Sequence, residues 1–377
     1  MRTSSNGPAV AVRVITLLVG AAIAMSGCST IAPSGRAAGS STAVPSNAPV
    51  TPAPTSRTTA SPAPVVADGE GWIVFQSLAD QFDPVADRDG IDHDDTIFLV
   101  RPGGSGLHRL APTDFRGSEI RPTWSPDGHR VAFLRGHLPG DVTQLWAVDV
   151  DGTGAELLYE CGAGCNTIDY PDWAPDGKSI YFSRDSDVPA AGGPPETFEV
   201  WNYDLSTHQA RAVISHHDGL SVGQARVSPD GRAAVLVRCT IDMPDCTLVV
   251  ASLDGRHERA ITTRGLVVAY PDWSTNDDIA FNTYDLRSDP QTLEPSNLYT
   301  VHVDGSGLRQ LTSYGRSDTR ATQPRWASDG RGLIYTQVTR SATDPFGVRN
   351  IAYLDVSGTG VSLVKGSVIG THPELRP

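Results

Sequence analysis

Acidic side chains are missing from the first 67 residues, and lysine is nearly missing from the whole 377-residue chain, occurring only as Lys178 and Lys365. The first absence divides the molecule. Four of the thirty basic residues precede Asp68, so the remainder carries 26 basic against 43 acidic groups, a net charge of −17. Such a surface repels phosphate backbones and anionic headgroups, which excludes nucleic acid as a partner and leaves neutral or cationic partners and divalent cations. The scarcity of lysine makes arginine the main cation, a trait of a GC-rich genome more than of a function. Long apolar runs are lacking too, since Val14 to Met25 is too short to span a bilayer as a permanent helix. Residues 29–67 hold seven prolines but no acid and no aromatic residue, so they cannot build a core and read as a semi-extended tether.

What is present at the N-terminus points to export. Arg2 and Arg13 lie beside the short apolar stretch, which ends in Met25-Ser-Gly-Cys28, a sequence that resembles a bacterial lipobox. The expected organisation is a lipoprotein signal over residues 1–28 with Cys28 as the lipidated residue. A disordered tether over 29–69 and a folded domain over 70–377 follow. Ordinary cleavage with a secreted product, or a coincidental cysteine, are the alternatives at Cys28. A diacylated cysteine anchors firmly where one acyl chain does not, so the expected location is the outer face of the plasma membrane. Four further cysteines, an even number in an exported chain, favour disulfides. Cys239 and Cys246 bracket a six-residue loop between two strand-like runs, and Cys161-Gly-Ala-Gly-Cys165 can close a small ring. A redox or metal role is the rival reading for Cys161 and Cys165.

The folded part repeats one phrase. It reads Arg121-Pro-Thr-Trp-Ser-Pro-Asp-Gly128, Tyr170-Pro-Asp-Trp-Ala-Pro-Asp-Gly177 and Gln224-Ala-Arg-Val-Ser-Pro-Asp-Gly231, then Tyr270-Pro-Asp-Trp-Ser-Thr-Asn-Asp277 and Gln323-Pro-Arg-Trp-Ala-Ser-Asp-Gly330, and ends truncated as His372-Pro-Glu-Leu-Arg-Pro377. The key position (Trp124, Trp173, Val227, Trp273, Trp326, Leu375) recurs at 49, 54, 46, 53 and 49 residues. A period near fifty with several strand-like runs per unit means a propeller or an array. After each turn comes a short β-branched and aromatic run such as Arg130-Val-Ala-Phe-Leu134, then further runs separated by Asp-Gly or Ser-Gly turns, which makes four strands per unit. In Ser125-Pro-Asp-Gly128, Pro presets φ, Asp caps the turn locally and Gly accepts positive φ, so neighbouring strands are antiparallel. The tryptophans are expected between adjacent sheets. The first unit, beginning at Gly71-Trp-Ile-Val-Phe75, lacks a Pro-x-Trp segment, and His372-Pro-Glu-Leu375 supplies one. The expected fold is therefore all-β, a six-bladed propeller closed by the C-terminal strand.

This pattern, Pro-x-Trp-Ser-Pro-Asp-Gly with Asp304-Gly-Ser-Gly-Leu-Arg-Gln-Leu-Thr312, resembles the TolB-type propeller repeat over roughly residues 70 to 377. The fourth repeat, without Pro or Trp at those positions, matches weakly. The tether leaves no room for the small α/β domain that precedes the propeller in TolB proteins, so a Tol–Pal role does not follow from the resemblance.

Three motifs bear on chemistry. Gly219-Leu-Ser-Val-Gly223 matches a nucleophile elbow, but the next repeat begins at once and leaves no helix for that turn at Ser221. The acidic run Asp83 to Asp95 offers Asp87, Asp89, Asp92 and Asp94 as oxygen ligands for Ca²⁺, without EF-hand spacing or a closing Glu; the rival is a solvated loop. No cofactor is otherwise required. His216, His217 and His372 meeting near the axis with a metal is the arrangement needed for the alternative function, a carbohydrate-active enzyme of the polysaccharide lyase type. The main expectation is a monomeric, lipid-anchored binding protein for an envelope protein or peptide. Its site would be the axial mouth, at the residues flanking each repeat proline: Arg121, Tyr170, Asp172, Tyr270, Asp272, Gln323, Arg325, His372 and Glu374. Structural strand ends are the plainer reading of those positions.

Overall fold

The computed structural model describes residues 71–78, 95–110, 117–136, 142–186, 197–215, 220–240, 246–262, 267–284, 296–315, 319–341, 344–357, 361–364 and 368–377. They form six four-stranded antiparallel sheets. Blade 1 contains β1 (Ile73–Leu78), β2 (Asp95–Val100) and β3 (His108–Arg109). Blade 2 is β4 (Ser118–Trp124), β5 (Arg130–Gly136), β6 (Val142–Asp149) and β7 (Glu156–Glu160). Blade 3 is β8 (Ile168–Trp173), β9 (Ser179–Ser186), β10 (Thr197–Asp204) and β11 (Gln209–Ile214). Blade 4 is β12 (Leu220–Val227), β13 (Ala233–Thr240), β14 (Cys246–Ser252) and β15 (Arg259–Ala260). Blade 5 is β16 (Val267–Trp273), β17 (Asp278–Tyr284), β18 (Ser296–His302) and β19 (Arg309–Gln310). Blade 6 is β20 (Thr319–Trp326), β21 (Gly332–Ser341), β22 (Asp344–Asp355) and β23 (Val361–Leu363). The last strand, β24 (Thr371–Leu375), pairs with β1 and completes blade 1, with Ile73 opposite Leu375 and Val74 opposite Glu374.

The ring closes on itself. The first strands β4, β8, β12, β16, β20 and β24 touch in succession, and β24 returns to β4. A four-stranded sheet cannot bury both faces alone, and here each face packs on a neighbouring blade. The core is correspondingly divided into six apolar clusters, one per seam. Trp124, Trp173, Trp273 and Trp326 each sit in such a seam, as the repeat predicts.

The turns follow their residues. Gly128, Gly177, Gly231 and Gly330 have φ between 65° and 70°, and each donates its N–H to the residue three before it at 2.8–2.9 Å. Asp127 and Asp230 accept from the Ser125 and Ser228 hydroxyls at 2.6 and 2.7 Å. These bonds, made first by the serine, hold both carboxyls below the usual range.

Candidate binding site at the axis

Every innermost strand carries the same irregularity. The pairing skips one residue between Ile120 and Thr123, Asp169 and Asp172, Gly223 and Arg226, Ala269 and Asp272, Thr322 and Arg325, and opposite Val74 and Gln76 in β24. An extra residue on one strand is a bulge, which bends the strand and re-aims side chains. At all six bulges the residue before the repeat proline position is left-handed: Arg121, Tyr170, Gln224, Tyr270, Gln323 and His372 have φ of 56°, 53°, 54°, 53°, 59° and 51°. None is glycine, so each costs about 1–2 kcal/mol relative to an ordinary conformation. In five of the six the following residue is Pro, which has no N–H to leave unpaired at the bulge.

Side chains capture the backbone donors freed there. Arg121 N–H donates to Gln76 Oε1 at 2.8 Å, Gln224 to Ser183 Oγ at 3.0 Å and Tyr270 to Gln224 Oε1 at 2.6 Å. Gln323 N–H donates to Asn282 Oδ1, and His372 N–H to Gln323 Oε1, both at 3.1 Å.

The left-handed turn sends side chains from different blades to one point. The Arg121 guanidinium lies 4.5 Å from the Tyr170 ring centre and 5.6 Å from that of Tyr270. Tyr270 in turn packs edge-on against Tyr170 and His372 at 5.7 and 5.8 Å. Arg121 Nη1 and Gln323 Nε2 both face His372 Nε2. Since a guanidinium only donates, that nitrogen is the acceptor, and Nδ1 carries the proton toward Thr371 Oγ1 at 3.2 Å. Burial, reinforced by Arg121, Arg226 and Arg349, pushes the His372 pKa well down, so the ring is neutral. Arg121 keeps its charge through Asp169, 2.8 Å from its Nε. The space left between these groups is only about 20 Å³, room for a single water-sized group. The axis is plugged at this level.

A second tier, two residues further along each strand, is ionic. Arg226 meets Asp172 at 3.1 Å and Asp272 at 3.9 Å; Arg325 meets Asp272 at 3.0 Å and Glu374 at 3.6 Å. Thr123 Oγ1 donates to Glu374 at 3.3 Å. Each acid also accepts the N–H of the next blade's key residue: Asp172 from Val227, Asp272 from Trp326 and Glu374 from Trp124, at 2.9, 2.7 and 3.0 Å. Two guanidiniums face three carboxylates. Burial first, with repulsion from the neighbouring acids added, raises Asp272 to about 8 and Glu374 to about 7, and burial raises Asp172 as well. The tier therefore holds a proton at neutral pH.

The two tiers alternate by blade. Odd blades place an aromatic ring before the proline and an acid after it (Tyr170 and Asp172, Tyr270 and Asp272, His372 and Glu374). Even blades place an amide or guanidinium before that position and a hydroxyl or guanidinium after it (Arg121 and Thr123, Gln224 and Arg226, Gln323 and Arg325). The nine axial residues singled out by sequence thus come together. Asp169, Gln224 and Arg226 belong with them; the repeat position marks the last two, whereas Asp169 stands outside the flanking positions.

The other sequence expectations fall as follows. Cys161–Cys165 and Cys239–Cys246 are disulfides, the second joining residues directly opposite in β13 and β14. Ser221 lies inside strand β12, where its Oγ accepts the Phe198 N–H at 3.2 Å, and no helix follows. Cys28, the tether, His216, His217 and the acidic positions Asp87, Asp89, Asp92 and Asp94 lie outside the described residues. Among the described residues no group of three or more His, Cys, Asp or Glu is placed to hold a metal ion.

Comparison with known proteins adds a family. A family model described as the lipoprotein LpqB beta-propeller domain matches residues 99–341. TolB from Acinetobacter baumannii superposes with a TM-score of 0.60 at 17% identity, over 81% of this chain and 67% of that one. A putative TolB from Agrobacterium tumefaciens gives 0.53 at 15% identity, over 80% and 90%. At such identity the likeness is one of fold. An uncharacterized protein of Agrobacterium fabrum is 31% identical over 94 residues, which is 23% of this chain and 31% of that protein. The chain thus spans under a third of that relative's length.

Proposed function

Because the chain belongs to the family of the lipoprotein LpqB beta-propeller domain, we propose that it is an extracytoplasmic scaffold, lipid-anchored through Cys28 at the outer face of the plasma membrane. Its axial mouth binds a protein or peptide of the cell envelope. The observation that carries this reading is the ring of six left-handed, non-glycine residues. Backbone strain persists where the surroundings over-determine it, and it clusters at ligand clamps. Among the described residues six of the nine non-glycine positive-φ positions fall at this one place in the blade, the others (His208, His257 and Asp277) lying in turns between strands, and the bulges aim polar and aromatic groups at one point. Arg121 and Tyr170 form the buried floor, while Gln224, Tyr270, Gln323 and His372 are half-buried and keep part of their surface in solvent. A ligand laid across that plate meets an aromatic edge, amides and a neutral imidazole without any rearrangement, which lowers the ordering cost of binding. Two disulfides and the family's lipoprotein character support an exported location.

The test compares envelope proteins captured by the full chain with those captured by Tyr270→Ala and Gln323→Ala. Binding at the mouth predicts specific captured proteins that drop at least about 10-fold with either variant, as for an aromatic hot spot. Equal capture by all three sinks the axial reading. The anchor is checked separately: Cys28→Ala or globomycin is expected to move the protein out of the membrane fraction, and an unaltered fraction and size would refute lipidation.

A further inference from the structure

The seam between blades 3 and 4 is built differently from its sisters. In four seams the innermost strand supplies an indole, and a small residue of the preceding blade shares its cluster: Trp124 with Val74, Trp173 with Ala132, Trp273 with Val235 and Trp326 with Ala280. In the seam between blades 6 and 1 the pair is Leu375 with Ile334. Strand register sets Val227 opposite Ala234 as it sets Trp173 opposite Ile180, so Val227 occupies the indole position of its seam. Tyr181 occupies the position held elsewhere by Val, Ala or Ile. The sizes are reversed, and the fit is incomplete.

The tyrosine does not close the gap. Tyr181 is only half-buried, and a cleft of about 390 Å³ opens beside it, bounded by Val227, Pro229 and Leu253. That volume falls within the range of small-ligand pockets, roughly 300–1,000 Å³. Exposed Asp176 and Asp230, from the turns of the two blades, border the same cleft. One oxygen of each serves its own turn, taking the N–H of Lys178 and of Arg232. Among the described residues the second oxygen of Asp230 faces Arg232 at 4.0 Å, and that side chain is 87% exposed. The cleft is therefore lined by a tyrosine, by apolar residues and by two carboxylates.

We propose that this cleft binds an aromatic side chain that a partner protein carries next to a positive charge, with an indole as the best-fitting ring. The sister seams state the shape: the same backbone position is filled by an indole four times, and here the protein leaves that ring to be supplied from outside. The ring stacks on Tyr181 and covers Val227 and Pro229. The adjacent cation lies between Asp176 and Asp230, which fits a domain of net negative charge. This site is separate from the axial ring and stands whether or not that ring binds a ligand.

The experiment titrates the full chain with two capped tetrapeptides, Gly-Trp-Lys-Gly and Gly-Trp-Glu-Gly, following the methyl signals of Val227 and Leu253 by NMR. The expected result is saturable movement of both methyls by the lysine peptide, at least about 10-fold tighter than by the glutamate peptide. Asp176→Asn with Asp230→Asn is expected to bring the two peptides to within about 2-fold. Val227→Trp installs the ring that four sister seams carry, so it is expected to abolish binding and to raise the melting temperature. Leu253→Trp narrows the cleft from its other wall and serves if that variant does not fold. No saturable shift, or unchanged binding in either tryptophan variant, overturns the proposal. Self-association of the chain that Val227→Trp abolishes would assign the cleft to a second copy and overturn the partner.

Discussion

At the scale of single residues, Asp272 is the most consequential titratable group. Its folded pKa of about 8 lies above the ordinary aspartate value near 3.9. Between those values the folded protein holds a proton that the unfolded chain has released. Stability is therefore highest at the acid end of this window, falls as pH rises from about 4 to about 8, and levels off above it. Glu374, raised to about 7, contributes in the same sense up to that pH. Because the three acids share two guanidiniums, the expected slope corresponds to about one proton, or about 1.4 kcal/mol per pH unit. Urea denaturation of the wild type at pH 5.5, 7 and 8.5 is expected to show that decline, and Asp272→Asn is expected to flatten it. Identical slopes in the two proteins would mean that the carboxylate is ionised throughout. None of this was readable from spacing. The residues flanking the repeat prolines were, but which of them meet depends on six positive φ angles, and no glycine marks those positions.

Among elements, β24, with Arg376 just after it, ties the last residues of the chain to blades 1, 2 and 6. Leu375 packs in the seam between blades 6 and 1, Glu374 takes the Trp124 N–H, Arg376 N–H donates to Trp72 O at 2.7 Å, and its side chain reaches Gly128 O at 2.9 Å. Deleting residues 370–377 removes all of these and bares the edge of β1. Loss of the leucine alone costs roughly 2–5 kcal/mol, and an unpaired apolar edge invites pairing between molecules. The truncated chain is expected to melt several degrees lower and to aggregate, read by light scattering during a thermal scan. A truncation that melts like the parent would rule out this closure. The element pattern was legible because one phrase recurs six times at a nearly fixed period, and β24 could be placed because the first unit lacks what the last residues supply. Blade 4 was the weak match, having Ala225 and Val227 for Pro and Trp, yet it keeps its bulge and its turn.

Over the whole molecule, stability is expected to reside in the ring and not in the segment before it. Deleting residues 29–67 is expected to leave the melting temperature within about 1 °C, since a stretch without acids or aromatic residues supplies little to bury. A larger fall would show that this segment packs on the propeller. Both disulfides close short loops, with separations of 4 and 7 residues. Intact mass of exported protein is expected to lie four hydrogens below the reduced form.

The alternation of the axial tiers also limits how such a ring can change size. Carboxylates stand on blades 1, 3 and 5, and the groups that answer them stand on blades 2, 4 and 6. Losing or gaining one blade would break the alternation, setting either two acids side by side with no guanidinium or hydroxyl between them or two of the answering groups side by side with no acid between them. Losing or gaining a pair would preserve the order. Parity, and not the number six, is what the interior chemistry enforces, so the unit that can be duplicated or deleted intact is two blades long.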